Sequence, residues 1–177
     1  MSKPTWGILA EFDSAAAIYR ACEGVRDAGF TKWDAHTPFP VHGLEKAMGL
    51  RPSILGWFVF IAAMTGMTLA MGFQWWMSVK AYPIVIAAKP LFSWQAFIPV
   101  TFEVTILFSA LAAVFGMFLL NRIPTFHHPL FNSKRFERFS DDRFFISIEH
   151  IDPKYEESAT RSLLQELGAV HIEMVEE

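Results

Sequence analysis

Length, composition and charge describe a small protein with a large apolar part. Its 177 residues suit one or at most two domains, and 53% are hydrophobic against 19% charged, fewer than the ~25% of an ordinary soluble domain. The net charge of −3 argues against a nucleic-acid-binding protein, and the single cysteine, Cys22, excludes an internal disulfide and the attachment motif of a c-type haem.

The first 45 residues predict one half of a soluble domain. Residues 6–12 have the pattern of a strand, Asp13 is placed to cap a helix, and Gly29 is placed to end it. A second strand is predicted at about residues 31–37. Residues 1–10 lack the regions of a cleavable signal peptide, so we expect membrane targeting to come from internal segments.

Residues 46–125 predict a transmembrane hairpin with spans at residues 54–76 and 97–120. The first span has no charged side chain, and as a helix it would extend roughly 34 Å, enough for a hydrocarbon core of about 30 Å. A pair of buried helices in a soluble core is the alternative, but a chain this short cannot enclose them. The ends carry tryptophans typical of membrane interfaces, namely Trp57, Trp75, Trp76 and Trp94.

Basic side chains predict the orientation of the hairpin. Two spans place both termini on one side of the membrane, and the loop between the spans carries only Lys80 and Lys89. The positive-inside rule therefore predicts that both termini are cytoplasmic. The basic residues on the side of the termini are Lys46, Arg51, Arg122, Lys134, Arg135 and Arg138.

Residues 143–177 predict the other half of the soluble domain, after a juxtamembrane connector at residues 126–142. The pattern is strand, helix, strand, with Asp152 placed to cap the helix and Gly168 placed to end it. Two βαβ units in sequence form a split βαβ, or ferredoxin-like, sandwich. The predicted fold class is therefore membrane α plus α+β, with the hairpin inserted between the second and third strands.

The connector is rich in aromatic and arginine side chains and has no regular amphipathic period. This composition predicts a segment that lies along the membrane or along a partner. It also contains His127 and His128, but neither helical spacing nor a companion cysteine supports a metal site. We therefore predict no metal and no cofactor in this chain.

Glu103 is the one ionisable side chain of the second span. A carboxylate about 9 Å along the helix from Phe97 is costly, and such residues usually face protein or water. Pro99, one turn earlier, cannot donate to the carbonyl of Gln95, which weakens the helix there. Two interpretations stay open, namely a proton-linked or structural carboxylate at a subunit contact, or a partly hydrated glutamate near the interface.

Small side chains recur at helical spacing in both spans, which permits close approach of membrane helices. Bulky residues such as Met64 and Phe108 would then occupy other faces, suited to a larger membrane subunit. The sequence shows no nucleophile–base pair and no phosphate-binding loop, so we predict no catalytic residue. The predicted helix-packing residues are Ala62, Gly66, Ala70, Ser109, Ala112, Ala113 and Gly116.

Several motifs resemble the ActD family, the small two-span subunit of bacterial alternative complex III. The resemblance extends over nearly the whole chain, and the Phe-Glu-Val-Thr core at residues 102–105 is its most specific part. The other motifs are the segment at residues 89–101, Asn121–Pro124, His128–Asn132, Asp142–Phe145 and the strand at residues 7–13.

The resemblance implies a non-catalytic subunit of a quinol:electron-acceptor oxidoreductase of respiratory or photosynthetic electron transport, in the bacterial inner membrane. Its partners would be polytopic quinol-binding subunits and subunits that carry haem c and iron–sulfur clusters. This chain would hold no redox centre, would stabilise the quinol-oxidising core and could assist proton movement. Nucleic acid is not an expected partner.

Two other functions compete with this interpretation. The first is a membrane-anchored sensor or regulatory module, in which the ferredoxin-like domain binds a metal or a metabolite. The second is a subunit of a transport assembly. Bound ligand would indicate the sensor, and substrate flux without quinol oxidation would indicate the transporter.

Overall fold

The computed structural model describes residues 5–176, which form two compact units. Pro52–Thr125 form the hairpin unit, and the other described residues form the sheet unit. The predicted domain limits within the chain stay predictions, and their outer ends, residues 1 and 177, lie outside the described residues. In chain order the strands and α-helices are β1 Thr5–Phe12, α1 Ala15–Ala28, β2 Trp33–His36, α2 Leu44–Ala47, α3 Leu55–Trp76, α4 Trp94–Leu120, β3 Phe144–Glu149, α5 Glu157–Glu166 and β4 His171–Glu176.

The sheet unit is built on four antiparallel strands in the order β2-β3-β1-β4. The register sets Ile8 opposite Ile148 in β3 and opposite Met174 in β4, so apolar side chains meet on one face. Helices α1 and α5 cover that face, and Ile18 and Leu164 are fully buried there. Strand β1 therefore lies between two strands that the chain contributes after the hairpin.

The connector covers the opposite face of the sheet. Short 3-10 turns at Pro129–Asn132 and Phe136–Ser140 bring Leu130 and Phe136 against Leu9 and Phe145. The predicted position of the connector along the membrane or a partner is therefore wrong for these two side chains. The physical reason is that the two helices cover only one of the two apolar faces of the sheet.

The helix ends differ from those predicted. Ser14, not Asp13, caps α1, because its extended backbone lets the hydroxyl accept from the Ala17 amide at 3.2 Å. Helix α5 begins at Glu157, so Asp152 is not its cap. Gly29 does end α1, since its φ of +82° allows the left-handed conformation that closes a helix.

The hairpin unit contains two candidate membrane spans, α3 and α4, and both helices are long and apolar enough to cross a bilayer. Helix α3 continues as a π-helical turn at Met77–Ala81. Helix α4 begins at Trp94, three residues before the predicted span at residue 97. Its 27 residues extend about 40 Å, so Glu103 lies about 14 Å from the start of the helix rather than about 9 Å.

Candidate functional site

Gly66 lies in close contact with α4. A Cβ atom at this position would lie 2.9 Å from Cγ of Phe108 and 3.1 Å from the carbonyl oxygen of Val104. Ala70, one turn further along α3, is also buried. Phe108 therefore packs against Gly66, and the prediction that it occupies another face is wrong, because a bulky ring fills the space that the glycine leaves.

The other predicted helix-packing residues lie at the margins of this contact. Ala62 in α3 and Ala112 and Ala113 in α4 are half-buried. The hydroxyl of Ser109 donates to the Thr105 carbonyl of its own helix at 2.8 Å. Gly116 is also half-buried, and a Cβ atom there would meet the flexible end of Leu55.

Gln74 joins the two helices by polar contacts that the sequence interpretation missed. Its side-chain amide donates to the Thr101 hydroxyl at 3.0 Å and to the Phe97 carbonyl at 3.3 Å, both in α4. It also donates to the Ala70 carbonyl of α3 at 3.1 Å. The signal was present in the sequence, since Gln74 is the one amide side chain in an uncharged run of apolar residues.

We expect Gln74→Leu to weaken the pairing of the two helices by about 1 kcal/mol, the order found for hydrogen bonds between membrane helices. Thr101 would also lose its partner across the hairpin. Disulfide trapping between Cys residues at Ala62 and Ala112, in a Cys22→Ser background, would report the pairing in detergent. Gln95→Leu is the control, and an equal trapping yield in both variants would contradict the prediction.

Glu103 lies on the opposite side of α4 from this contact. The neighbouring Thr101 is buried against α3, and a displacement of two residues turns a side chain about 200° around a helix. The Glu103 side chain is exposed, and among residues 5–176 its carboxylate makes no hydrogen bond or ion pair. The structure thus brings Gly66, Ala70 and Thr101 together and leaves Glu103 apart from them.

The predicted histidine pair is divided by the fold. His128 lies in a pocket of about 200 Å³ on the connector side of the sheet, together with His36, Trp6, Asp34 and other residues. In the described part of the chain, no group of three or more His, Cys, Asp or Glu side chains is arranged to hold a metal ion. The other lining residues are Thr31, Lys32, Trp33, Leu130, Ser147 and Glu149.

His36 is held by polar and aromatic contacts in this pocket. Its Nε2 lies 3.0 Å from the Ser147 hydroxyl, and its ring meets the edge of Phe136 at a centroid distance of 5.0 Å. Burial lowers the pKa of His36 below its ordinary value, and His128 lowers it further, whereas the Asp34 carboxylate opposes both effects. The neutral imidazole is therefore the form that the folded protein favours.

We expect the sheet unit to lose stability as the pH falls from about 7.5 to about 5.5. Because the pKa of His36 is lowered by folding, the unfolded chain binds more protons in this range, and acid favours unfolding. His36→Gln should reduce the slope of unfolding temperature against pH, since the amide stays neutral. His42→Gln, at an exposed position, is the control, and equal slopes for all three proteins would contradict the prediction.

Glu11 is a buried carboxylate that the sequence interpretation did not mark. It points from β1 towards Arg143 at 3.4 Å, Arg135 at 3.5 Å and Arg138 at 4.0 Å. Two of these arginines come from the connector and are partly exposed, so they remain hydrated while they neutralise the buried charge. Asp142 pairs with Arg138, and Asp13 pairs with Arg143. The cluster fixes the connector to the central strand.

Asp152 joins the two sequence halves of the sheet unit instead of capping α5. Its Oδ2 accepts from the backbone amides of Thr31 and Lys32, both at 2.6 Å, and its Oδ1 accepts from the Lys154 amide at 2.8 Å. Burial raises the pKa of this carboxyl, but the amide hydrogen bonds together outweigh it, and the pKa lies below its ordinary value.

Comparison with known protein families assigns the chain. A family model described as "Alternative complex III, ActD subunit" matches residues 6–174, from β1 to β4, including both helices of membrane length. A comparison with curated proteins gave no match. The resemblance found in the sequence motifs is thereby confirmed over nearly the whole chain. The chain therefore belongs to the ActD family, whose members are membrane subunits of the electron-transport assembly alternative complex III.

Proposed function

We propose that this chain is a non-catalytic subunit that attaches to and stabilises the polytopic quinol-oxidising core of alternative complex III. The family match over residues 6–174 carries the proposal, because it places the chain in a multisubunit assembly. The hairpin adds support, since its outward side chains are apolar and exposed over most of both helices. In this role the chain supplies an attachment surface and no redox group.

The proposed topology is a hairpin inserted between β2 and β3 of a ferredoxin-like domain. The strand order β2-β3-β1-β4 supports it, because a split βαβ sandwich has this order. The proposed location is the bacterial inner membrane with both termini in the cytoplasm. Arg51 and Arg122, close to the ends of the helices, support this orientation by the positive-inside rule.

The proposed cofactors belong to partner subunits, which would carry haem c and iron–sulfur clusters beside polytopic quinol-binding subunits. For Glu103 we retain two roles, a proton-linked carboxylate and a structural one. Glu103→Gln distinguishes them when the assembled complex is tested. A proton-linked role predicts that the variant assembles normally but loses proton movement coupled to quinol oxidation, whereas a structural role predicts unchanged coupling.

Purification of the tagged chain from native membranes in mild detergent tests the proposal. We expect haem-bearing subunits to copurify, with the absorbance of reduced c-type haem in the same fractions as the tag. The same purification from an untagged strain is the control. A colourless, monodisperse protein, free of other subunits, would overturn the proposal.

A ligand-sensing module is the second candidate, and the pocket that contains His36 and His128 favours it. Its volume of about 200 Å³ and its mixture of aromatic and polar walls suit a small polar molecule. Native mass spectrometry of the purified full-length protein tests it. A stoichiometric small molecule that is lost in His36→Leu would support sensing, and its absence would leave the attachment role alone.

A further inference from the structure

We infer that the outer face of α4 around Glu103 contacts a transmembrane helix of another subunit, and that this helix presents a hydrogen-bond donor to the Glu103 carboxylate. The inference rests on the proposed function, since it needs a membrane partner. It goes further by assigning one face of one helix and the chemistry of the group opposite.

The first observation is that the two faces of α4 differ in what covers them. On the inner face Thr101 is only 7% exposed, because α3 packs over it. On the outer face Val100 and Leu107, about one turn on either side of Glu103, are 47% and 53% exposed. Nothing in the hairpin unit, residues 52–125, covers the outer face.

The second observation is the depth of Glu103. Helix α4 begins at Trp94 and ends at Leu120, so Glu103 lies about 14 Å from one end and about 26 Å from the other. A hydrocarbon core of about 30 Å centred on this helix would include Glu103, about 6 Å from the midplane. A glutamate side chain is too short to reach the headgroups from there.

The third observation is that this part of α4 offers acceptors without donors. Pro99, one turn before Glu103, supplies no amide hydrogen, so the carbonyl of Gln95, a further turn back, lacks its usual helical partner. The Gln95 carbonyl and the Glu103 carboxylate belong to residues eight positions apart, about two turns along the helix. The Glu103 carboxylate is the acceptor within the hydrocarbon core, where an unpaired acceptor costs several kcal/mol and lipid tails have no donor to offer.

These observations select the occupant of the face. A second copy of this chain would bring a second Glu103 carboxylate to a symmetric contact, which adds another acceptor and no donor. A lipid headgroup cannot reach the required depth. A helix that carries Lys, Arg, His or a hydroxyl or amide side chain supplies the missing donor and covers the apolar residues around it.

Photo-crosslinking in native membranes tests which molecule lies there. A benzophenone amino acid at Leu107 should give an adduct with another membrane subunit, identified by mass spectrometry of the crosslinked peptide. The same probe at Val104, on the inner face, is the control and should react within the hairpin. Adducts from Leu107 with lipid alone, or with a second copy alone, would overturn the inference.

Three variants test the chemistry of the contact. Glu103→Leu should reduce copurification of the partner subunits about threefold to tenfold, the effect of losing one hydrogen bond between membrane helices. Glu103→Gln keeps an acceptor and should remain near the wild type, as should Val100→Leu, which preserves the apolar neighbour. Copurification of Glu103→Leu at the wild-type level would overturn the inference, whereas failure of the wild type itself to copurify would overturn the proposed function.

Discussion

Gly7→Ala is expected to destabilise the sheet unit by about 1–3 kcal/mol, the cost of adding a methyl group where the surroundings cannot move. A Cβ atom at Gly7 would lie 2.2 Å from the carbonyl oxygen of Ile148 and 3.0 Å from Cα of Glu149. Both atoms belong to the backbone of β3, which pairs with β1 at this point. Relief of the clash therefore requires the two strands to separate.

Chemical denaturation of the detergent-solubilised protein, followed by the change in tryptophan fluorescence to which Trp6 and Trp33 of the sheet unit contribute, measures this effect. Gly24→Ala is a matched control, because a Cβ atom there would meet only the flexible end of Leu167, and alanine favours the helix by about 1 kcal/mol. We expect the control to be near neutral. Equal denaturation midpoints for Gly7→Ala and the wild type would show that β1 and β3 adjust without cost.

Gly66→Leu should have the largest effect on the hairpin. The leucine side chain would occupy the space of the Phe108 ring, so α3 and α4 must move apart or the ring must leave the contact. Overpacking of this kind costs about 1–3 kcal/mol and would also stretch the hydrogen bonds of Gln74 to α4. The expected result is a hairpin whose helices no longer hold their register.

Gly72→Leu is the matched control for this prediction, since a Cβ atom there would meet nothing within 4 Å. Disulfide trapping between Cys residues at Ala62 and Ala112, in the Cys22→Ser background, reports the distance between the helices. We expect the trapping yield to fall in Gly66→Leu and to stay at its starting value in Gly72→Leu. A yield that falls equally in both variants would point to lipid exposure, not helix packing, as the cause.

The two helices of the hairpin could be predicted from sequence because long uncharged apolar runs favour few structures other than membrane spans. The contacts between the two helices were harder to predict from the sequence. The small residues at Gly66 and Ala70 indicated the inner face of α3, but the position of Phe108 opposite Gly66 depends on the register of the helices. Gln74 was overlooked for the same reason, since its partners in α4 follow from that register.

In the sheet unit, local sequence patterns predicted the helices and strands. They did not predict where these elements begin and end, or that the connector covers the second face of the sheet. Asp13 and Ser14 are both good caps, and the backbone angles that select Ser14 are not visible in the sequence. Asp152 binds the Thr31 amide, 121 residues away in the chain, so its local position as a cap was misleading. The connector lacks a period because its aromatic residues fill irregular turns.

The direction of Glu103 around α4 depends on the packing of the hairpin. Its type and its place in an apolar run could be recognised at once, but its direction could not, because α3 had first to be placed on the other side of α4. Its proton-linked and structural roles stay predictions. The helix start at Trp94 places Glu103 about 14 Å along α4, and that distance from the helix end supports the proposal of a protein neighbour.

The central position of β1 in the sheet has a consequence for the order in which the protein folds during synthesis. Strand β1 is translated before both of its neighbours, β3 and β4, which follow the two membrane helices in the chain. During that interval the strand has two unpaired edges, which are prone to aggregation unless they are protected. Termination before β4 would leave one edge of β1 without a neighbour, so a chain that ends there would carry an edge prone to pairing with other chains.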